Sequence, residues 1–177
     1  QGLMGVGKDT YKRDGTTRSF SAAFAEVEVD IETGKYTVTE FLSVADVGIV
    51  IHPTALGGQV LGRSNLGIAH AIGHRWVYDQ RYGVGLARRF YNNSPPTILD
   101  IPLNSAWDSV GLPDPETPVG ARGIGEPPVA AACTSVLNAI SDALGDEVFV
   151  RSPVLLDHIV KALDTKRPGQ FPLTANV

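Results

Sequence analysis

The sequence contains very little cysteine: Cys133 is the single one among 177 residues. One cysteine excludes a disulfide framework within the chain, and it excludes an iron–sulfur cluster held by this chain alone. Cys133 falls on the apolar face of a predicted helix, so we expect a buried and unreactive thiol.

Long apolar runs and an excess of one charge are also lacking. No apolar run reaches the roughly 20 residues that a membrane-spanning helix needs, and no signal-peptide pattern opens the sequence, so we expect a cytoplasmic protein. Charges of both signs are spread along the chain and the net charge is −4, which argues against nucleic acid as the main partner. The apolar share of 43% is ordinary for a globular protein, and the length suffices for a real core.

Two stretches near the start alternate between apolar and polar residues, as half-buried strands do. They cover residues 20–31 and 36–44, and the turn residues 32–35 between them include Gly34. The pattern therefore predicts a β-hairpin with an acidic, solvated outer face. The expected inward residues are Ala25, Val27, Val29 and Ile31 on the first strand and Tyr36, Val38 and Leu42 on the second.

From about Thr54 to Tyr78 we expect a helix, which begins after His52-Pro53 ends a short apolar run. Each glycine inside a helix costs about 1 kcal/mol relative to alanine, so many of them indicate that another helix or a ligand approaches the backbone. Gln59 can both donate and accept hydrogen bonds, which suits a heterocyclic ligand; the alternative is a surface glutamine. The small residues are Gly57, Gly58, Gly62, Gly67, Ala69, Ala71 and Gly73.

His70 and His74 are four residues apart, a spacing that puts both on one helix face and is compatible with zinc. Position 71 is alanine, not the glutamate of a metalloprotease helix, and no third ligand is evident. We therefore predict hydrogen-bonded or exposed histidines, with a metal site as the less favoured alternative.

Residues 2–9 match the G-x-x-x-x-G-K of a phosphate loop and then fail at Asp9, where a Ser or Thr hydroxyl is needed. Asp9 would add negative charge beside a phosphate. We expect a flexible entry segment here, and nucleotide binding is the least favoured alternative.

Residues 79–122 are predicted to be mostly loop, because proline interrupts regular structure. Arg81, Arg88 and Arg89 form a local basic patch, which would face an anionic substrate, a phosphate, a neighbouring chain or solvent. A long loop beside a glycine-rich site often forms its lid. The prolines are Pro95, Pro96, Pro102, Pro113, Pro115 and Pro118.

The stretch from Ala121 to Pro128 holds a carboxylate whose surroundings suit chemistry. Gly123 and Gly125 leave the backbone open to a bulky ligand, and the proline after Glu126 predicts an extended conformation there. A helix then runs to Gly145, so Glu126 lies at a helix N-terminus, where the dipole favours the ionised carboxylate. Glu126 is thus a candidate general base, and the alternative is an exposed glutamate that serves the first helical turn.

The apolar face of that helix is predicted from its 3.6-residue period. After it, residues 147–150 are expected to form a short strand, and a last helix should run from Ser152-Pro153 to about Leu163. The sequence thus predicts an α+β fold in which a β-hairpin packs with a glycine-rich and an alanine-rich helix. The apolar face of the first of these helices is Val129, Ala132, Cys133, Val136, Leu137, Ile140, Ala143 and Leu144. The inner side of the last helix is Leu155, Ile159, Ala162 and Leu163.

In combination, these parts resemble one family. The hairpin, Ala45-Asp46-Val47-Gly48, the stretch from Ile51 to Val60 with its Gly58-Gln59, and above all Gly123 to Pro128 are similar to the C-terminal part of the molybdenum-binding subunit of the xanthine dehydrogenase and aldehyde oxidase family. The resemblance covers residues 20–165. It implies a C-terminal lobe of a molybdenum-cofactor-binding domain, with an entry segment at 1–19 and a tail at 166–177.

The resemblance also implies roles for individual residues. The family binds molybdenum through a pterin cofactor, often a cytosine dinucleotide in bacteria, so no side chain of this chain is expected to ligate the metal. Glu126 would be the base that takes a proton while an aldehyde or N-heterocycle is oxidised with water-derived oxygen. Gln59 would hydrogen-bond the cofactor or a molybdenum ligand. Gly58, Gly123, Ile124 and Gly125 would complete this part of the cofactor pocket.

The sequence departs from the family in length. Molybdenum subunits of this family are several times longer, and the earlier cofactor motifs and the iron–sulfur and flavin modules are missing here. We therefore expect a split molybdenum subunit or a cleaved fragment, with partner chains that complete the molybdenum domain and that carry iron–sulfur clusters and FAD. The alternative is a structural or assembly module of such a complex that does not catalyse.

Overall fold

The computed structural model describes residues 2–8, 14–145 and 149–167. They form the predicted α+β fold, in which one three-stranded sheet carries helices on its inner face. None of the described helices combines the length and apolar character needed to cross a bilayer. The elements are β1 (Phe20–Val29), β2 (Tyr36–Asp46), α1 (Pro53–Ile72), α2 (Phe90–Asn93), a 3₁₀ turn (Ile98–Asp100), β3 (Asn104–Val110), α3 (Pro127–Ala143) and α4 (Leu156–Thr165).

The predicted hairpin is present, but two of its expected inward residues, Ile31 and Leu42, are exposed. β1 and β2 pair antiparallel, and the register shifts at a bulge, where Thr39 has no partner on β1. A bulge reverses the alternation, so Phe41 is buried and Leu42 is exposed. Ile31, also expected inside, lies in the turn beyond β1 and is exposed.

Residues 79–122 are mostly loop, as predicted, but they contain strand β3, which was not predicted. It pairs parallel to β2, with Leu42 opposite Ala106 and Ser43 opposite Trp107. A parallel pair requires a long crossover connection, and here the crossover contains α1. Pro102 and Pro113 lie on either side of β3 and therefore do not disturb its hydrogen bonds.

Helix α1 begins as predicted and ends earlier than predicted. The Nδ1 atom of His52 accepts a hydrogen bond from the Ala55 amide at 3.1 Å, and Pro53 occupies the first turn, where its missing N–H costs nothing. The helix ends at Ile72 rather than Tyr78. The His74 amide donates to the Ala69 carbonyl at 2.8 Å, five residues earlier, which departs from the helical spacing of four.

The main core lies between the sheet, the second half of α1, α3 and α4. Gly67 of α1 faces α3, and a Cβ atom there would lie 2.7 Å from the Cβ of Ala132. The helix-approach interpretation of the glycine-rich helix therefore holds at this position. The fully buried side chains of this core include Ile68, Val136, Ile140, Val154 and Ile159.

The C-terminal part of the described chain is tied to the hairpin through Tyr36. Its hydroxyl lies 3.1 Å from the Ala71 carbonyl oxygen and 3.0 Å from that of Val154. Burial raises the pKa of the Tyr36 phenol, which keeps it protonated as a donor. Residues 147–148 of the predicted short strand lie outside the described residues, and residues 149–150 belong to no strand.

Candidate functional site

Residues 120–126 form a loop that is held against the end of β2 by backbone hydrogen bonds. The Ile49 amide donates to the Gly120 carbonyl at 2.9 Å, and the Arg122 amide donates to the Val47 carbonyl at 2.7 Å. Gly48 has a φ of +63°, and a Cβ there would collide with the Gly120 carbonyl, so this close approach requires glycine. The Ala-Asp-Val-Gly stretch and the Gly-x-Gly-Glu stretch are therefore neighbours in space.

Two carboxylates hold the same loop through the Arg122 guanidinium. Its Nε donates to Asp114 at 2.8 Å and its Nη1 donates to Asp46. The hydrogen bond from Arg122 is the largest reason why the pKa of Asp114 is lowered, and the same bond contributes most to raising the pKa of Arg122. This ion-pair cluster was not predicted from the sequence, although Asp46 lies in the Ala45–Gly48 stretch and Arg122 in the Ala121–Pro128 stretch.

Gln59 and Ile124 lie together at one small groove of about 230 Å³. Gln59 is on the exposed face of α1, whereas Ile124 is half-buried and packs against a second core cluster built on Ala45, Val47 and Val60. Ile124 thus anchors the loop and contributes an apolar wall to the groove. Gln59 is exposed at this groove, so its side chain is accessible to a ligand.

The glycines assigned to the cofactor pocket are open to solvent. A Cβ at Gly58, Gly123 or Gly125 would meet no atom within 4 Å. By contrast, a Cβ at Gly57 would strike the Trp107 ring at 2.6 Å, so that glycine serves internal packing. The Gly123 carbonyl also accepts a hydrogen bond from the Ser19 hydroxyl at 2.5 Å, which fixes this end of the loop.

Glu126 occupies the residue immediately before α3, as predicted, and its side chain is exposed. Its ψ is −5°, so the predicted extended conformation is wrong. The Glu126 carbonyl accepts a hydrogen bond from the Val129 amide at 3.0 Å, which begins the first turn of α3. The carboxylate makes no capping hydrogen bond and remains available to a ligand.

His70 lines the same open groove as Glu126, which has a volume of about 500 Å³. The rings of His70 and His74 stack with centroids 4.8 Å apart. Burial is the main reason why the pKa of His74 is lowered, and the nearby His70 lowers it further. Both effects favour the neutral form of His74. The described residues contain no group of three His, Cys, Asp or Glu side chains that could hold a metal ion, so the histidine pair has no third ligand.

Cys133 lies in this groove too, and it is half-buried rather than fully buried. Burial raises the pKa of its thiol, which agrees with the expected unreactive state. Residues 2–8 form no helix or strand and are exposed, while Asp9 lies outside the described residues. A strand–loop–helix phosphate site is therefore not formed by the described part of this segment.

The fold and the open glycine loops agree with a family of cofactor-binding domains. Residues 5–102 match the family model described as "Molybdopterin cofactor-binding domain", and the chain belongs to this family. The match includes Gly58 and Gln59 and ends before the Gly123–Glu126 stretch. The resemblance to the xanthine dehydrogenase and aldehyde oxidase family is thereby confirmed.

Named relatives and a solved structure agree with this assignment. The chain is 31% identical over 128 residues to the xanthine dehydrogenase molybdenum-binding subunit of Escherichia coli O157:H7, covering 72% of this chain and 17% of the relative. It is 30% identical over 144 residues to the aldehyde oxidoreductase of Megalodesulfovibrio gigas, covering 81% and 15%. It is also similar to CO dehydrogenase from Oligotropha carboxidovorans, with a TM-score of 0.72, 29% identity and coverage of 83% and 18%. The chain thus spans less than a fifth of each of these proteins.

Proposed function

We propose that this chain is one part of a molybdenum hydroxylase, in which it supplies the catalytic base Glu126 and part of the cofactor pocket. The observation that carries the proposal is the placement of an exposed, uncapped Glu126 carboxylate beside the open backbone of Gly123 and Gly125. The same arrangement in an unrelated domain would indicate a solvated turn. In a member of the molybdopterin cofactor-binding family, it supports a catalytic site beside the cofactor.

The residues fit a large organic cofactor better than a metal ion bound by side chains. Gly58, Gly123 and Gly125 expose backbone with no atom where a Cβ would stand, so their amides and carbonyls can contact a bulky ligand. Gln59 offers donors and an acceptor, and Ile124 offers an apolar wall in the same groove. When bound, a molybdopterin-type cofactor supplies the two-electron redox chemistry that oxidises an aldehyde or N-heterocycle with water-derived oxygen.

Glu126 accepts a proton in this proposal, and its position supports that role. The N-terminus of a 17-residue helix follows it, and the helix dipole favours the ionised carboxylate. The loop that carries it is fixed at Gly120, Arg122 and Gly123 by hydrogen bonds, so its geometry is set before a substrate arrives. A base held in this way needs no large rearrangement to reach a reacting group.

The pocket requires further polypeptide, because the chain spans less than a fifth of the relatives that it matches. Several relatives have names that place them in multi-subunit enzymes, such as "subunit gamma" and "large chain". We infer that partner chains complete the molybdenum domain here and that iron–sulfur and flavin subunits accept the electrons. The cytosine dinucleotide form of the cofactor belongs to the same proposal.

Glu126→Gln tests the catalytic role in the complex purified with its natural partners. The amide keeps the size of the side chain and loses the ability to accept a proton, so turnover of an aldehyde or N-heterocycle should fall by about 10²-fold or more. Molybdenum content, measured by elemental mass spectrometry, should not change. Glu28→Gln, at an exposed glutamate on β1, is the matched control and should retain full turnover.

The two outcomes separate catalysis from scaffolding. Lost turnover with retained molybdenum supports the proposal. Unchanged turnover in Glu126→Gln would mean that the chain is a structural or assembly module of such a complex. A complex that contains all its chains and no molybdenum would refute the proposed function itself.

A further inference from the structure

Residues 74–103, called the arm below, expose most of their large apolar side chains. Relative exposure reaches 70% at Tyr82, 84% at Phe90, 73% at Tyr91 and 91% at Leu99. No residue of the arm belongs to either core cluster of the described residues. So many large apolar side chains exposed on one segment of 30 residues indicate an interaction site rather than ordinary solvated surface.

The arm is nevertheless an ordered structure. Tyr78 and Gly85 form an isolated antiparallel bridge, and the Leu86 amide donates to the Val77 carbonyl at 2.7 Å. At the tip, the Asp79 carboxylate accepts hydrogen bonds from the Arg81 and Tyr82 amides at 3.0 and 2.7 Å. A fixed backbone presents the aromatic side chains at a small entropic cost, as a docking surface requires.

The exposed side chains are of the types that dominate protein–protein binding energy. Arg81 lies over the Tyr82 ring at 5.1 Å, and Arg89 lies over the Tyr91 ring at 6.0 Å. The Trp76 and Tyr78 rings stack at 6.4 Å, and Trp76 remains 64% exposed. Tryptophan, tyrosine and arginine are enriched at the energetic centres of protein interfaces.

The charge of the arm indicates the chemistry of its partner. It has four arginines and two aspartates, an excess of two positive charges in a chain whose net charge is −4. Arg81 and Arg89 lie over tyrosine rings, so a complementary surface combines an apolar centre with acidic groups at its rim. The arm arginines and aspartates are Arg75, Arg81, Arg88, Arg89, Asp79 and Asp100.

We propose that the arm docks on the partner chain that carries the remainder of the molybdenum-binding domain, at an apolar surface with an acidic rim. The arm lies almost wholly within residues 5–102, which match the cofactor-binding family, so it is part of the domain and not an added module. The relatives hold more than four-fifths of their length outside the matched region, which provides polypeptide to cover it. The inference rests on the partner chains of the proposed function.

Photo-cross-linking in the natively purified complex identifies the chain that the arm contacts. Benzoylphenylalanine is placed at Tyr82 and, separately, at Phe90, and the cross-linked peptides are identified by mass spectrometry. We expect peptides from a chain whose sequence aligns with the part of the relatives that this chain does not match. Cross-links to a second copy of this chain, recognised from mixed heavy and light isotopes, would overturn the proposal, as would no cross-link in a complex that retains all its chains.

Charge reversal tests the acidic rim, with a matched control in the same chain. Arg81→Glu should weaken association with the purified partner chain by at least about fivefold at physiological salt, and high salt should reduce the difference. Lys166→Glu reverses an exposed charge outside the arm and should change the affinity less than twofold. Equal effects of the two variants would overturn the proposal.

Neither test depends on turnover. A complex with normal molybdenum content and a Glu126-dependent activity, but with no cross-link from the arm, refutes the docking surface and leaves the proposed function intact. Cross-links to the expected chain in a complex without molybdenum refute the proposed function and leave the docking surface intact.

Discussion

Two glycines of helix α1 have opposite surroundings, and exchanging each for alanine should change stability in opposite directions. A Cβ at Gly62 would meet no atom within 4 Å. A Cβ at Gly67 would collide with the Val129 carbonyl oxygen, lie 2.7 Å from the Ala132 Cβ and 3.0 Å from the Cys133 amide nitrogen. Both glycines lie inside the helix, so their intrinsic helix propensities are the same.

The magnitudes follow from these two environments. Replacing a helical glycine by alanine gains about 1 kcal/mol when nothing obstructs the methyl group, so Gly62→Ala should stabilise the chain by about that amount. Overpacking costs about 1–3 kcal/mol, and Gly67→Ala belongs at the upper end because helix backbone cannot rotate aside as a side chain can. The net expectation for Gly67→Ala is a loss of about 2 kcal/mol, which separates the two variants by about 3 kcal/mol.

Urea unfolding followed by far-UV circular dichroism measures both changes. The midpoint should rise for Gly62→Ala and fall for Gly67→Ala, with the slope m unchanged, because neither substitution alters the surface exposed on unfolding. In thermal unfolding, a change of 1 kcal/mol corresponds to about 2–4 °C for a chain of this size. If Gly67→Ala were as stable as the unmodified chain, the close packing of α1 on α3 would be wrong and the reasoning would fail.

Three further changes have definite expected outcomes. Gly58→Ala should stabilise the isolated chain by about 1 kcal/mol in urea and lower the molybdenum content of the complex, since its methyl group covers open backbone. Arg122→Met removes the hydrogen bond that lowers the pKa of Asp114; the native bond adds stability above the unfolded pKa, so the urea midpoint should fall at pH 7 and differ less at pH 3. Tyr36→Phe should lower the free energy of unfolding by about 1 kcal/mol in the same assay, because the Val154 carbonyl loses its donor; an unchanged midpoint would contradict this.

The elements with a strong local period could be predicted from the sequence. Helix α3 repeats apolar residues at helical spacing, and β1 alternates strictly, so each pattern identifies its own structure. Strand β3 has the sequence Asn-Ser-Ala-Trp-Asp-Ser-Val, which contains little apolar alternation. It becomes a strand because β2 lies beside it, and a parallel partner more than sixty residues earlier is not visible in a local pattern.

The bulge at Thr39 shows a second limit. The alternation of β2 is regular on each side of Thr39, and the change of face depends on which β1 residue lies opposite. The Thr39 hydroxyl donates to the Glu26 carbonyl at 3.2 Å, a contact across the strands. The prediction assumed uninterrupted alternation along β2 and therefore placed Leu42 inside.

The candidate site divides in the same way. Glu126 and Gln59 were singled out from their side chains and their glycine neighbours, and their roles stay predictions. The ion pairs that hold the 120–126 loop could not be predicted in this way, because Arg122 and Asp46 are 76 residues apart in the sequence. A cation between two carboxylates is recognisable only when the fold has brought the end of β2 and the 111–122 segment together.

Helix α1 retains glycine on both faces, and the two faces require different explanations. Gly57 and Gly67 face Trp107 and α3, so close packing within the chain explains them. Gly58 and Gly62 face open space, and together they cost about 2 kcal/mol of helix stability with no compensating contact among the described residues. We propose that a bound cofactor or a covering partner chain compensates this cost. That exposed face also carries Gln59, whose amide supports the proposed contact with a cofactor.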